Sequence, residues 1–367
     1  MEIKTYKIKD ICEASHGREI NTKYLRENQG IYPVYSSATS NEGEMGRIKT
    51  YDFDGEYVTW TTRWSYAGSI YYRNGKFSAS SNCGILKVLN KEINPKFLAY
   101  ALKKEAKKFV NTTSAIPILR TQKVVEIPID FPPLQIQEKI ATILDTFTEL
   151  SAELSAELRE RKKQYAFYRD YLLNLKNWKE ENKYYKLGEI AQKVLVGGEK
   201  PADFSKEKNE VYKYPILSNN SKAEEFLVYS KTFRVEEKSI TVSARGTIGA
   251  VFYRDFAYLP AVSLICFVPK EEFDIRFLFH ALRAIKFKKQ GSATGQLTVA
   301  QFKEYGIHVP SLKKQKEIAA ILDPLYSFFT DLNEGIPAEI ELRKKQLDYY
   351  QNFLFNWVQN QKAASIL

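Results

Sequence analysis

The chain has 367 residues, of which 44% are hydrophobic, 27% charged and 14% aromatic. That length suits two or three domains of about 100–200 residues each, and so much apolar material excludes global disorder. Lys and Arg exceed Asp and Glu by 55 − 44 = 11, a balance that favours a polyanionic partner, nucleic acid being the commonest.

The N-terminal MEIKTYKIKD lacks the apolar core of a signal peptide, and no stretch approaches ~18 apolar residues. Cys12, Cys83 and Cys266 are far apart and form no CxxC pair, which argues against a disulfide framework or a zinc ribbon. A cytoplasmic protein with no membrane segment is expected.

Residues 1–131 read as β-rich. Glu56–Thr61 and Ser69–Arg73 are strand-like runs around a Gly-bearing turn, and Asp52–Gly55 and Arg73–Gly75 carry hairpin-turn chemistry. An amphipathic helix is expected at Pro95–Phe109. Hydrogen-bonding and aromatic groups gather in three places: Ser36, Ser37, Thr39 and Asn41; Thr61, Thr62, Arg63, Trp64 and Tyr66; and Thr113 within Asn111–Ser114. Arg73 follows the second strand.

Residues 132–180 begin with Pro132-Pro133, which stops the preceding strand and opens a helix. Ile136, Ile140, Ile143, Phe147, Leu150 and Leu154 step by 4, 3, 4, 3, 4, the spacing of a heptad seam, with Leu144 beside it. Tyr165, Tyr168, Leu172 and Leu175 resume the rhythm after a stutter. No Gly or Pro interrupts Leu134–Leu175, so one continuous helix is expected.

Residues 181–309 return to the β-rich pattern, with strand-like Ile240–Ser243 and Ala250–Tyr253 and a helix at Asp274–Lys288. Candidate contact residues here are Ser218, Asn219, Asn220 and Lys222; Ser243, Arg245 and Thr247; Arg254; and Thr294 with Gln296. Residues 310–367 open at Pro310 and carry Ile318, Ile321, Leu322, Leu325 and Phe328, then Leu347 and Leu354, at helical spacing. Asn333–Pro337 must break or kink that helix.

These four segments form a tandem repeat. Ile129–Asp145 returns as Ile307–Asp323 at an offset of 178, and Arg161-Lys162-Lys163-Gln164 returns as Arg343-Lys344-Lys345-Gln346 at 182. Weaker echoes join Tyr32-Pro33-Val34-Tyr35-Ser36 to Tyr214-Pro215-Ile216-Leu217-Ser218, and Arg63 with Gly68 to Arg245 with Gly249. An amphipathic helix this long needs a partner, and the repeat supplies one: the second copy, packed antiparallel.

The tools of catalysis are missing. No GxxxxGK[ST] loop or dinucleotide fingerprint occurs, and His16, His280 and His308 are isolated. Asp52 and Asp54 lie next to Gly55, where a turn role outweighs metal binding. The matched polar loops suit another task. An Arg fork spans guanine O6 and N7, Asn does the same for adenine, and Ser and Thr suit phosphates. A coiled-coil scaffold with two peptide-binding domains is the competing reading; a self-contained nuclease or methyltransferase is disfavoured by the missing motifs.

Two variable β-rich segments, each followed by a proline-opened P-x-L-x-x-Q-x-x-I-x-x-I-L-D helix and an R-K-K-Q stretch with trailing aromatics, resemble the specificity subunit of type I restriction-modification systems. The motifs are Pro132–Asp145 with Arg161–Asn174 and Pro310–Asp323 with Arg343–Asn356. The resemblance implies an α+β fold, with two β-rich, mixed α/β target-recognition domains (1–131 and 181–309). Two long antiparallel helical spacers (132–180 and 310–367) would form a pseudo-twofold, coiled-coil-like stalk. It implies a non-catalytic subunit that binds a bipartite double-stranded DNA target, two modification (methyltransferase) subunits and, where present, two restriction subunits. No cofactor belongs to the chain itself; S-adenosylmethionine, ATP and Mg sit on the partners.

Overall fold

The computed structural model describes residues 2–37, 40–113, 115–178, 181–219, 228–288, 295–331 and 335–364. The chain divides into two compact units: Met1–Leu154 with Ile340–Leu367, and Ser155–Glu339.

In the first unit β1 (Lys4–Lys7), helix α1 (Ile8–Ile11) and β2 (Cys12–His16) are followed by α2 (Thr22–Glu27), β3 (Gln29–Tyr35) and β4 (Glu44–Ile48). Then come β5 (Glu56–Thr61), β6 (Ile70–Asn74), β7 (Ser78–Ala79) and β8 (Cys83–Val88). Helices α3 (Pro95–Glu105) and α4 (Thr121–Val124) precede β9 (Pro128–Phe131) and the 39-residue α5 (Leu134–Leu172). The strands form an antiparallel sheet β2-β8-β5-β6, a three-stranded sheet β4-β3-β7 and a β1-β9 pair.

The second unit repeats this topology. Its elements are β10 (Lys183–Lys186), α6 (Leu187–Ile190), β11 (Ala191–Val196), β12 (Tyr214–Leu217), β13 (Tyr229–Ser230), β14 (Ser239–Ser243), β15 (Val251–Arg254), β16 (Leu259–Pro260) and β17 (Leu264–Pro269). Helices α7 (Ile275–Ala284) and α8 (Val299–Glu304), strand β18 (Gly306–Val309) and helices α9 (Leu312–Ser327) and α10 (Ile336–Ala364) follow. The sheets are β11-β17-β14-β15, β13-β12-β16 and β10-β18. The fold is thus a mixed helix–strand architecture in two tandem copies.

Local sequence explains the helix starts. Asn94 accepts from Phe97 N at 2.9 Å and Asp274 from Phe277 N at 2.8 Å, each capping the helix that packs on its sheet. In the first core Trp60, Leu86, Phe97, Leu98 and Leu102 are fully buried. A Cβ at Gly84 would come within 2.1 Å of the Trp60 ring, so only glycine fits there. The second core centres on Ile240, Ile265, Phe267, Phe277 and Phe279.

The recurring motif pins each long helix to its domain. Gln137 Oε1 accepts from Asn94 N at 2.9 Å, and its Nε2 donates to Pro132 O at 2.8 Å and Glu92 O at 3.0 Å. Gln315 does the same with Asp274 N at 2.8 Å and Pro310 O at 2.9 Å. Asp145 accepts from Lys96 and Tyr100 at 2.5 and 2.8 Å; Asp323 pairs with Arg276 and His280 at 2.6 and 2.7 Å. Burial opposes ionisation of Asp323, but the hydrogen bonds from His280 and Arg276 outweigh it and hold its carboxyl below the usual range.

The buried helix face departs from the expected heptad. Ile140, Ala141 and Leu144 are buried with Gln137, and Ile318, Ala319 and Leu322 with Gln315, each large aliphatic contributing about 1.5–3 kcal/mol. Ile143 and Leu150 are 41% and 36% exposed, and Ile321 and Phe328 are 49% and 50% exposed. A strict 3.5-residue seam would bury them. The domain-facing side of each helix instead follows the 3.6-residue period, and that pushes the second Ile of I-x-x-I-L-D outward. Leu325, Leu347 and Leu354 are half-buried, and Phe147 stacks on Tyr350 with ring centroids 4.9 Å apart.

Candidate nucleic-acid interface

The sheet β2-β8-β5-β6 and its counterpart each end in a loop that carries an exposed arginine. In the first unit β5 stops at Thr61; Thr61 N donates to Ser69 O and Gly68 N to Thr61 O, closing the loop at its base. Arg63, Trp64 and Tyr66 stand exposed on it. Leu119 N donates to Thr62 O at 2.8 Å and Trp64 N to Pro117 O at 3.0 Å, which anchors the loop to the segment after α3. In the second unit Ser243 N bonds Ala250 O, Gly249 N bonds Ser243 O, and Leu297 N donates to Ala244 O at 2.8 Å. Arg245, Thr247 and Gln296 are exposed, Arg245 at the position equivalent to Arg63.

Backbone geometry matches as well. The third residue after each strand has a positive φ: Trp64 at 75° and Gly246 at 69°. The left-handed region costs an L-residue on the order of 1–2 kcal/mol and glycine almost nothing.

Around Arg63 lies a polar cleft of about 510 Å³, lined by His16, Asn82, Arg120, Thr121 and Gln122 among others. His16 Nε2 lies 2.5 Å from Thr121 Oγ1, and burial pushes its pKa down. None of these residues stood out in the sequence, because they come from separate segments that only the fold assembles. The one available signal was the repeat: Leu119 and Leu297 are equivalent, so Gln296 pointed to the neighbours of Leu119.

Five of the expected contact residues are not on the surface. Thr61, Thr62, Arg73, Ser243 and Arg254 are 1%, 6%, 5%, 0% and 6% exposed. The Arg73 guanidinium lies 3.6 Å from the Tyr35 ring centroid, donates to Thr59 Oγ1 at 3.3 Å and bonds the Glu42 carbonyl; burial pushes its pKa down. Arg254 donates to Thr241 Oγ1 at 3.3 Å. An arginine at the end of a strand pair looked like a reader in sequence; its alternation places it inward, where it ties strand to loop. Through Glu42, Arg73 holds the loop that bears Ser36, Ser37 and Asn41, where Asn41 and Glu42 have φ of 51° and 53°.

The remaining candidates are accessible. Ser36 and Ser37 are half-buried, and Asn41, Thr113 and Ser218 are exposed. Asn219 Nδ2 donates to Arg245 O at 3.0 Å, joining the loop after β12 to the arginine loop. Thr39, Asn220, Lys222 and Thr294 lie outside the described residues. Asp52 pairs with Arg18 at 2.9 Å, and no His/Cys/Asp/Glu group fit to hold a metal occurs among the described residues. No helix among them is long and apolar enough to cross a membrane.

Residues 1–161 and 179–342 match the family model described as the type I restriction modification DNA specificity domain. The chain belongs to that family. It supplies the DNA sequence specificity of a type I restriction-modification system and, like other specificity subunits, is non-catalytic. A type I specificity subunit of Mycoplasma pneumoniae is 96% identical over 88% of this chain and all of its own length; a second from that organism is 66% identical over 99% of this chain and all of its own. Among solved structures, the type I S subunit from M. genitalium shares the fold with a TM-score of 0.62 at 17% identity, covering 97% of this chain and 96% of that one.

Proposed function

We propose that residues 1–131 and 181–309 are recognition domains, each reading one half of a bipartite duplex target, while helices 132–180 and 310–367 set the gap between halves. The observation that carries this reading is the pair of exposed arginine loops, Arg63 and Arg245, at one topological position in both repeats. The stalk is an antiparallel, pseudo-twofold helical pair, and the two half-sites lie near one DNA turn apart, about 34 Å. The contact set is Ser36, Ser37, Asn41, Arg63, Trp64, Tyr66 and Thr113 in one domain and Ser218, Asn219, Arg245, Thr247 and Gln296 in the other; Thr39, Asn220, Lys222 and Thr294, expected from the sequence, lie outside the described residues.

The test is methylation mapping by single-molecule sequencing in cells co-expressing the chain with its modification subunit. A split motif with methylated adenine in both halves is expected; methylation that persists without the chain overturns the reading. Arg63→Ala should relax one half-site and Arg245→Ala the other, each by about 1–3 kcal/mol of base discrimination. Loss at both halves from either substitution would contradict separate readers.

Two modification subunits, carrying S-adenosylmethionine, dock on the helices; restriction subunits with ATP and Mg join where the system has them, all in the cytoplasm. Support for two equal docking faces comes from duplicated exposed rings. Phe167, Tyr168 and Tyr171 are 65%, 39% and 54% exposed, and their equivalents Tyr349, Tyr350 and Phe353 are 64%, 39% and 54% exposed. Phe167 stacks on Tyr171 at 6.3 Å and Tyr349 on Phe353 at 6.2 Å. Exposed Ile143 and Ile321 are also repeat equivalents. Phe167→Glu or Tyr349→Glu alone should leave one modification subunit bound, and both together none, by light scattering of the co-purified complex. Unchanged stoichiometry in the double variant would exclude these faces.

A further inference from the structure

We propose that Trp64 is a wedge: its indole stacks into a base step of the half-site contacted by residues 1–131, a contact that the equivalent loop at Gly246 does not supply. The inference rests on the proposed reading of the arginine loops as the DNA-facing side. Trp64 sits at a φ of 75°, where its repeat equivalent is Gly246 at 69°. Glycine is the cheap solution at such a position, and a bulky aromatic is the expensive one. Burial does not repay the strain, because Trp64 is 51% exposed. Strained residues that packing does not compensate are held for what they do.

Backbone hydrogen bonds hold the loop that carries this ring. Trp64 N donates to Pro117 O at 3.0 Å, Ala67 N to Trp64 O at 2.9 Å, and Gly68 N to Thr61 O at 2.8 Å. Exposed Arg63 and Tyr66 flank it, Tyr66 at 52%. A flat apolar ring on a held loop, next to an arginine in sequence, suits the face of a nucleobase next to a phosphate. Apolar side chains presented this way part base steps and bend the duplex. The second loop, with Gly246 between Arg245 and Thr247, has no such ring.

The test uses the full chain in complex with its modification subunits, on duplexes that carry the mapped methylation motif with 2-aminopurine placed at each position in turn. Wild type should give one Trp64-dependent rise in fluorescence in one half-site. Trp64→Gly and Trp64→Ala should abolish it and weaken binding about tenfold, while Trp64→Phe retains it. Trp64→Gly should melt at the same temperature as wild type or a few degrees higher, because strain is relieved. A clear fall in its melting temperature with unchanged fluorescence would make Trp64 structural and overturn the proposal. So would loss of modification subunits with DNA contact intact, which would assign the ring to a protein partner. Arg63→Ala and Arg245→Ala separate the two readings: weakened binding in those variants with Trp64→Gly silent removes only the wedge, and silence in all three removes the DNA-facing assignment itself.

Discussion

Inserting four residues into α5 between Leu154 and Ser155 is expected to abolish methylation of the natural motif and create a new one, with the same two half-sites and a longer gap. α5 begins in the unit that holds the first domain and ends in the unit that holds the second. Four helical residues add about 6 Å and rotate the far end by about 40°, and 6 Å is close to two base-pair steps at about 3.4 Å each. The other chain crossing, at Glu339–Ile340, lies only a few residues into α10. A chain whose half-sites changed while the gap stayed fixed would show that the helix does not set the spacing.

Replacing Gln137 by Ala is expected to cost the first unit about 2–4 kcal/mol, and Gln315→Ala somewhat less in the second. Gln137 is 1% exposed and Gln315 3%. Removing the Gln137 amide leaves the Asn94 N–H and the Glu92 and Pro132 carbonyls without this partner, the Pro132 bond being buried, whereas two partners lose theirs with Gln315. For a unit of this size each kcal/mol is about 2–4 °C in melting temperature, so calorimetry should show the transition displaced by several degrees. Gln137→Leu should not recover it, since the loss is of hydrogen bonds and not of volume. A shift below one degree would mean that the helix is held by its apolar contacts alone.

Much of the architecture was legible because it is local and doubled. The strands at Glu56 and Ser239, the capped helices at Asn94 and Asp274, and the proline-opened long helices all follow from short patterns that occur twice. What escaped depends on contacts across the fold. Arg73 and Arg254 resemble readers until their strands are placed, when alternation turns them into the core. The phase of the long helices follows from what Gln137 meets at Glu92 and Asn94 and what Leu144 packs among in the core, which no heptad count contains. The cleft beside Arg63 is assembled from segments tens of residues apart, so no window along the chain could hold it.

Neither repeat closes its own core. Phe355 and Val358, from the end of the chain, are buried among Phe97, Ile140 and Leu144; Tyr165 and Trp178, from the first repeat, are buried among the residues of the second. The two halves of the gene are therefore tied in inheritance as well as in structure. A recombination event that imports a new first domain can alter freely the loops that face outward. The side that receives Phe355 must arrive already shaped for it, because that ring is encoded more than 200 residues away. Substitutions are thereby constrained where Phe355 and Val358 seat, and free of that constraint on the exposed loops.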